Sequence, residues 1–194
     1  MTKSPYQIKR RTFSFSVKAI DDEQGLIEAY GSVFDVADYG DDIVKPGSFK
    51  RTIQNSKARV QAGKAKFLSV MLYQHNPDLP IGGWHSLEED SHGLLCKGQI
   101  VLGTQLGRET YELIKAGVIN EFSIGFDLPR GGSTYDKETG LRNITEIRLW
   151  EISPVTFAMQ SEALLVGVKS AKAKEKDMDK TTEDAMLAKS IQEY

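Results

Sequence analysis

Apolar runs of strand length, each closed by polar turn residues, recur along this 194-residue chain and constrain its fold more than any other feature. Residues 13–17, Phe-Ser-Phe-Ser-Val, alternate apolar and polar side chains with the period that a half-buried strand requires. The runs predicted to form strands are 13–17, 26–34, 67–73, 81–87, 94–102, 121–128 and 143–157. This pattern predicts a mainly β fold.

A few short helices are expected among these strands, which makes the predicted class α+β. The segment Pro46-Gly47-Ser48 is typical of a helix start, with Ser48 as the N-cap residue. Thr104 is the expected N-cap of a further helix, and Gly117 occupies the place where a glycine commonly ends one. The helices are too short to dominate the fold, so we expect them to flank a sheet.

Prolines and glycines predict where the strands are interrupted. Pro77 and Pro80 predict a loop after the run at 67–73, and the polar, glycine-rich residues 130–140 predict a long exposed tip. Pro154 cannot donate a hydrogen bond in a central ladder. Whether the last run forms one strand or two therefore stays open.

Composition and charge exclude several classes of protein. Hydrophobic residues make up 40% of the chain and charged residues 27%, which is ordinary for a globular protein. The net charge of -2 gives no electrostatic reason to bind nucleic acid or an anionic membrane surface. No apolar run reaches the roughly 18 residues of a membrane-spanning helix, and the N-terminus lacks the apolar stretch of a secretory signal. We therefore expect neither a nucleic-acid nor a membrane partner.

The composition changes after Val168, where lysines and acids replace large apolar residues. Such a segment cannot bury a core alone and is predicted to be a flexible or partner-docking tail. The predicted organisation is an N-terminal arm at 1–12, one domain at 13–168 and the tail at 169–194. Cys96, the single cysteine, lies in a predicted strand, so we expect a buried structural thiol in a reducing cytoplasm.

Two reactive side chains lie in or beside predicted strands. His75 follows the run at 67–73, and Ser123 lies within the run at 121–128. Serine is a poor nucleophile near neutral pH and needs a base within hydrogen-bond reach, usually a neutral imidazole. Gly125 leaves room near the serine for a close approach of backbone or substrate. If the histidine and the serine meet, the chain is a serine hydrolase, although most strand serines only alternate between faces.

A third group must orient the imidazole by accepting its Nδ1 proton. The acidic candidates after Ser123 are Asp127, Glu146, Glu151 and Glu162. Glu151 is the strongest candidate because it interrupts an apolar stretch, where an inward-facing carboxylate would need a partner. Periodicity alone favours a solvent-facing position for it, so the third member stays open at this point.

The three histidines raise a different hypothesis, a metal-dependent hydrolase built from His75, His85 and His92. Their spacing matches neither the helical His-Glu-x-x-His pattern nor a Cys/His knuckle. We therefore expect no metal site and no cofactor.

Short blocks spread over residues 13–168 carry a resemblance to a known family. They are Gly31-Ser32-Val33-Phe34, Asp38-x-x-Asp41-Asp42-Ile43-Val44-Lys45-Pro46-Gly47-Ser48-Phe49, Gln74-His75-Asn76, Pro80-Ile81-Gly82, Gly93-Leu94, Glu112-Leu113-Ile114-Lys115-Ala116-Gly117, Phe122-Ser123-Ile124-Gly125-Phe126 and Leu149-Trp150-Glu151-Ile152-Ser153-Pro154-Val155-Thr156. Each block is unspecific alone, but their order and spacing together carry weight. The chain resembles the prohead (capsid-maturation) serine protease family of tailed phages.

This resemblance implies a serine endopeptidase that works inside an immature capsid in the host cytoplasm. It also implies a closed or nearly closed β-barrel flanked by helices, similar to the herpesvirus assembly proteases. Carried over to this sequence, His75 matches the general base and Ser123 the nucleophile, with Glu151 as the third member and Glu146 as second choice. The implied partners are the major capsid protein with its scaffolding segment, and possibly further copies of the protease, which it would also cleave.

The competing hypothesis of a different class is a non-catalytic β-barrel, a scaffold-like component of capsid assembly. In such a protein Ser123 and His75 would be ordinary polar positions, and serine-directed reagents would not react with it. The two hypotheses predict the same fold, so only the site separates them.

Overall fold

The computed structural model describes residues 24–160 and 162–168. The predicted strand at 13–17, the arm at 1–12 and the tail at 169–194 lie outside the described residues. Within them the chain is mainly β with two helices, as the sequence predicts.

Most strands belong to one antiparallel-rich sheet. The described elements are β1 Leu26–Val33, β2 Asp42–Val44, α1 Lys50–Gln61, β3 Ser69–Tyr73, β4 Asn76–Glu89, β5 Gly93–Ile100, α2 Gln105–Lys115, β6 Glu121–Asp127, β7 Ser133–Tyr135, β8 Arg142–Ile144, β9 Arg148–Val155 and β10 Leu165–Val168. Seven strands form the main sheet in the order β10-β1-β5-β4-β3-β9-β6, and β2, β8 and β7 form a three-stranded sheet. The central pairs are hairpin neighbours, which is why short polar turns separate them in the sequence.

The main sheet curls, so that the segment before β10 returns to the edge strand β6. The Phe122 N–H donates to Ala163 O at 2.8 Å, and the Leu165 N–H donates to Asn120 O at 3.0 Å. The same segment accepts a hydrogen bond from the Tyr30 N–H of β1. The two ends of the strand order are therefore linked through residues 163–165.

The buried hydrophobic side chains of both helices and most strands form one core cluster. Its largest fully buried side chains are Trp84, Tyr111, Phe49, Phe122, Ile27, Met71, Ile81, Leu87, Leu94, Ile100, Ile114 and Ile144. Burying each of these contributes about 1.5–3 kcal/mol against the loss of chain entropy. Cys96 is fully buried, as predicted, and burial raises the pKa of its thiol well above the usual range.

The N-cap of the first helix lies one residue later than the sequence predicts. Its N-cap residue is Phe49, which makes no side-chain cap, so the prediction of Ser48 as the N-cap is wrong. The buried Ser48 hydroxyl instead lies 2.5 Å from Lys45 O and 2.9 Å from Ile144 O. The Ser48 hydroxyl thus donates to carbonyl oxygens of the loop and of β8, and it accepts no hydrogen bond from the first turn of α1.

The second helix follows the prediction closely. Thr104 is the N-cap of α2 and accepts a hydrogen bond from the Gly107 N–H. Gly117 ends the helix with a φ of 72°, a left-handed conformation that glycine adopts at little cost. Both signals depend on neighbouring residues alone, so the sequence is sufficient to predict these two helix ends.

The predicted loop at Pro77 and Pro80 is wrong, because both prolines lie in β4. Residues 76–80 are exposed, and of these Asn76 and Pro80 pair with β3, whereas pairing with β5 begins at Gly82. A strand segment with a neighbour on one side only needs no backbone N–H on its open side, so proline is tolerated there.

In the C-terminal half the structure contains one strand that the sequence does not predict, and it shows the last run as two strands. The predicted tip at 130–140 contains β7, and the run at 143–157 divides into β8 and β9 well before Pro154. Pro154 pairs with Phe122, whose N–H points away from β9 to Ala163. The two residues therefore form a non-hydrogen-bonded pair, in which a proline N–H would make no hydrogen bond to the neighbouring strand.

None of the helices in the described ranges is both long and apolar enough to cross a membrane.

Candidate active site

His75 lies in the tight turn of the β3–β4 hairpin. Tyr73 pairs with Asn76, which leaves Gln74 and His75 as the two turn residues. Both have positive φ, 54° and 59°, as a type I′ turn requires. Asn-Gly is the usual sequence for such a turn, whereas Gln and His adopt positive φ only at an energetic cost. The turn presents the imidazole beyond the end of β3.

The imidazole contacts a buried carboxylate. His75 Nδ1 lies 2.6 Å from Glu151 Oε1, with the side chain of His75 40% exposed and that of Glu151 9% exposed. Glu151 lies in β9, where its neighbour on the β3 side is Val70. The solvent-facing position that periodicity favours for Glu151 is therefore wrong. Its carboxylate is inward, and His75 is the partner that such a group needs.

The second oxygen of Glu151 is held by a buried hydroxyl. Ser153 is fully buried and donates a short hydrogen bond to Glu151 Oε2. The two residues are separated by one position on β9, so their side chains share a face of the strand. With one oxygen facing His75 and the other facing Ser153, the carboxylate is held in a single orientation.

The carboxylate of Glu151 lies over Gly125. The two residues are partners in the β6–β9 ladder, and a Cβ added to Gly125 would lie 2.2 Å from Glu151 Oε1. No real Cβ approaches a heavy atom so closely, so only glycine leaves the carboxylate where it is. The room that the sequence predicts at Gly125 is occupied by the acid of the site.

Ser123 lies on the same face of the sheet as the acid. It pairs with Ser153, two ladder positions from the Gly125–Glu151 pair. Opposed residues of antiparallel strands direct their side chains to one face, and diagonal neighbours are about 7–8 Å apart. Ser123 is half-buried. It also lines a cavity of about 170 Å³ whose other walls include Val44, Phe126, Ile144 and Met159.

The imidazole is oriented by its carboxylate partner, and no hydrogen bond joins it to Ser123 among the described residues. A carboxylate at Nδ1 favours the tautomer with its proton on that nitrogen, which leaves Nε2 as an acceptor. Ser123 makes no side-chain hydrogen bond within the described ranges, so its hydroxyl is not committed elsewhere. The face thus holds an oriented imidazole, a buried acid and an uncommitted serine.

The other candidate acids and histidines lie elsewhere. Glu146, the second choice for the acid, forms a surface ion pair with Arg51 at 3.0 Å. Asp127 pairs with Arg148 on the surface. His92 packs edge-on against Tyr30, with ring centroids 4.5 Å apart, and His85 is exposed on β4. Across the described part of the chain, no group of three or more His, Cys, Asp or Glu residues could hold a metal ion.

Two residues of this site escaped the sequence reasoning. Ser153 and Gln74 both lie in the quoted blocks, but no role was predicted for either. The spacing of Glu151 and Ser153 on one strand was a usable signal, because alternate residues share a face. The role of Gln74 depends on contacts across the fold and has no local signal.

The chain is similar to known proteins in sequence and in fold. Residues 13–182 match the family described as caudovirus prohead serine protease. The prohead protease of Enterobacteria phage HK97 is 32% identical over 167 residues, which cover 82% of this chain and 69% of that protein. The structure of the bacteriophage T4 capsid assembly protease superposes with a TM-score of 0.53 at 13% identity, over 67% of this chain and 80% of that one.

These matches separate the hypotheses that the sequence left in competition. The family match spans most of the chain, and the HK97 relative exceeds 30% identity over more than two thirds of its length. The protein is thus a serine peptidase of phage capsid maturation, and the non-catalytic barrel is not supported. The likeness to the T4 protease supports the fold alone, at its lower identity. By this family match, the chain belongs to the caudovirus prohead serine proteases.

Proposed function

We propose that this peptidase cleaves peptide bonds by acyl-enzyme chemistry, with Ser123 as nucleophile, His75 as general base and Glu151 as the acid that orients the base. The observation that carries this assignment is the 2.6 Å contact between His75 Nδ1 and Glu151 Oε1. It lies on the face of the β6–β9 ladder to which Ser123 belongs. Glu146 pairs with Arg51 on the surface and makes no contact with His75 among the described residues.

The mechanism follows from these roles. Ser123 Oγ attacks the scissile carbonyl carbon while His75 Nε2 takes the hydroxyl proton, which forms a tetrahedral intermediate. His75 then gives that proton to the leaving amine, and the C–N bond breaks to leave an acyl-enzyme. A water molecule, deprotonated by His75 in turn, hydrolyses the ester and restores the serine. Glu151 stabilises the imidazolium throughout and does not itself become protonated.

The proposed substrates are the scaffolding segment of the major capsid protein and the protease itself. Support comes from the names of the relatives, a prohead protease and a capsid assembly protease. The proposed place of action is the interior of the immature capsid in the host cytoplasm. The tail at 169–194 is proposed either to dock the enzyme to its partners or to be trimmed by self-cleavage.

The fold is proposed to be a nearly closed β-barrel of the herpesvirus assembly protease type. The link from β6 through residues 163–165 to β1 supports closure, because its hydrogen bonds join both ends of the strand order. We propose the domain to span 13–168, with the arm at 1–12 outside the barrel. Closure would fix β6, and so Ser123, against a rigid wall.

The test of this proposal compares the parent with Ser123→Ala, beside Ser133→Ala as a control serine in a strand of the smaller sheet. Intact-mass analysis over time follows self-cleavage, and labelling by a fluorophosphonate follows serine reactivity without a known substrate. The expected result is fragments and one label in the parent and the control, and neither in Ser123→Ala. His75→Ala is expected to label at least about 10³-fold more slowly.

Either of two results would overturn the assignment. Labelling of Ser123→Ala at the rate of the parent would place the nucleophile elsewhere. Unchanged labelling of His75→Ala or Glu151→Gln would remove the base or its orienting acid from the mechanism. The Glu151→Gln variant is informative because it keeps the shape of the side chain and removes its charge.

A further inference from the structure

The turn that carries His75 is tied to the end of β9 by a second residue, Gln74. The Gln74 Nε2 group donates to Thr156 Oγ1 at 2.9 Å, and the Thr156 N–H donates to Gln74 Oε1 at 3.1 Å. The Gln74 N–H also donates to Pro154 O at 3.3 Å. One glutamine thus joins the turn to two residues of the segment that closes β9.

These contacts hold a backbone conformation that the two turn residues would not adopt freely. Gln74 and His75 both have left-handed φ values, 54° and 59°. Each such residue costs about 1–3 kcal/mol without glycine, and the cost persists only where the surroundings enforce it. The surroundings here supply few apolar contacts, because residues 75–80 are exposed. Hydrogen bonds, more than packing, therefore determine where this turn lies.

The strand to which Gln74 is tied is the strand that carries the acid. Glu151 and Ser153 lie on β9 a few residues before Thr156, and Ser153 is the ladder partner of Ser123. Without the Gln74 side chain, the tip would keep the His75–Glu151 contact and the backbone bond from the Gln74 N–H to Pro154 O. The two bonds of the Gln74 side chain to Thr156 add a further attachment to β9 and so restrict the orientation of the imidazole.

We propose that Gln74 is a positioning residue, which latches the His75 turn onto the end of β9 through Thr156 and holds Nε2 in the direction of Ser123. The Gln74–Thr156 latch touches no reacting atom, and it acts through the histidine. The inference rests on the proposed function, since it presumes that His75 is the base. A misplacement of about 1 Å in a catalytic group can lower a rate by about 100-fold.

The first test separates the latch from the strain of the turn. In Gln74→Asn the shorter amide cannot reach Thr156, but asparagine tolerates positive φ better than glutamine does. In Gln74→Ala both side-chain contacts are lost as well. We expect both variants to lower the maximal rate of labelling by a fluorophosphonate about 10- to 100-fold. The fluorophosphonate concentration that gives half of the maximal rate is expected to change little. Thr104→Ala, which weakens the distant cap of α2, is the control for lost stability and is expected to label normally.

The second test addresses the partner residue. Thr156→Val removes the hydroxyl at nearly constant volume, whereas Thr156→Ser keeps it. We expect slow labelling from the first, recovery in the second, and no additional loss when Thr156→Val is combined with Gln74→Ala. The proton NMR signal of the His75 Nδ1–H, shifted strongly downfield by its carboxylate partner, is expected to weaken in the slow variants.

The outcomes distinguish failure of the latch from failure of the site. If Gln74→Asn, Gln74→Ala and Thr156→Val all label at the parent's rate while Ser123→Ala does not label, the latch is wrong and the proposed function stands. The latch also fails if Thr104→Ala slows labelling as much as the Gln74 variants do, since the effect then reflects stability. If Ser123→Ala labels normally, the proposed function itself fails.

Discussion

At the scale of single residues, the site depends on a missing side chain as much as on those present. Gly125 has no Cβ at the place where one would meet the carboxylate of Glu151. The acid can therefore lie flat across the β6–β9 ladder and still reach His75. Ser153 completes the arrangement by binding the other oxygen, so a buried charge has a partner on each side.

Substituting this glycine is expected to inactivate the enzyme with little harm to the fold. In Gly125→Ala the new methyl group would lie 2.2 Å from Glu151 Oε1, so the carboxylate must move away from His75. We expect fluorophosphonate labelling to fall at least about 10-fold. Gly103→Ala is the matched control, because its Cβ would meet nothing nearer than Val101 at 4.0 Å. Equal labelling of the two variants would contradict the role given to Gly125.

At the scale of elements, the two helices differ in how they begin. α2 has a side-chain cap at Thr104, whereas α1 begins at Phe49 without one. The start of α1 is instead held by contacts from elsewhere, among them the Phe49 N–H donating to Glu89 Oε1 at 2.8 Å. A helix capped locally can be located from sequence, but one capped by a distant carboxylate cannot.

Removing the local cap is expected to weaken the protein measurably. Thr104→Ala leaves the Gly107 N–H without its acceptor at the start of α2, and loss of an N-cap costs about 0.5–2 kcal/mol. Urea unfolding followed by circular dichroism is expected to show that loss as a lower midpoint with an unchanged slope. Thr134→Ala, on the exposed strand β7, is the control and is expected to keep the parent's midpoint. A midpoint unchanged in Thr104→Ala would show that tertiary packing alone holds α2.

At the scale of the whole molecule, the segment at 163–165 is the link that makes the sheet more than an open layer. It accepts hydrogen bonds from the Phe122 N–H of β6 and from the Tyr30 N–H of β1. β6 would otherwise be an edge strand beside β9, with Ser123 on it. An unpaired edge frays and invites pairing with other chains, so this link protects the strand that carries the serine.

Hydrogen exchange can measure whether that link persists in solution. The amide hydrogens of Phe122 and Leu165 are both bonded across the gap, at 2.8 Å and 3.0 Å. We expect them to exchange as slowly as amides in the middle of β5, because their exchange requires β6 to separate from residues 163–165. Exchange of both at the rate of an unstructured peptide would contradict closure. Slow exchange in β5 within the same sample is the internal control.

The predictability of this protein varies from residue to residue for physical reasons. Thr104 and Gly117 could be assigned because capping is decided within one turn of chain. Ser48 was misassigned because its hydroxyl binds Ile144 O, which is distant in sequence. Pro77 and Pro80 lie in a strand although proline predicts a loop, because a sequence does not show which strand segments have a neighbour on one side only.

The sequence by itself determined the strand periodicity, the two reactive side chain types and the family. It determined these because alternation and short motifs are properties of adjacent residues. Only the tertiary structure decided that Glu151, and not Glu146, contacts His75, and that Gly125 and Ser153 hold it there. The reason is register: a slip of one residue between β6 and β9 would turn the acid to the opposite face, and long-range pairing alone fixes that register.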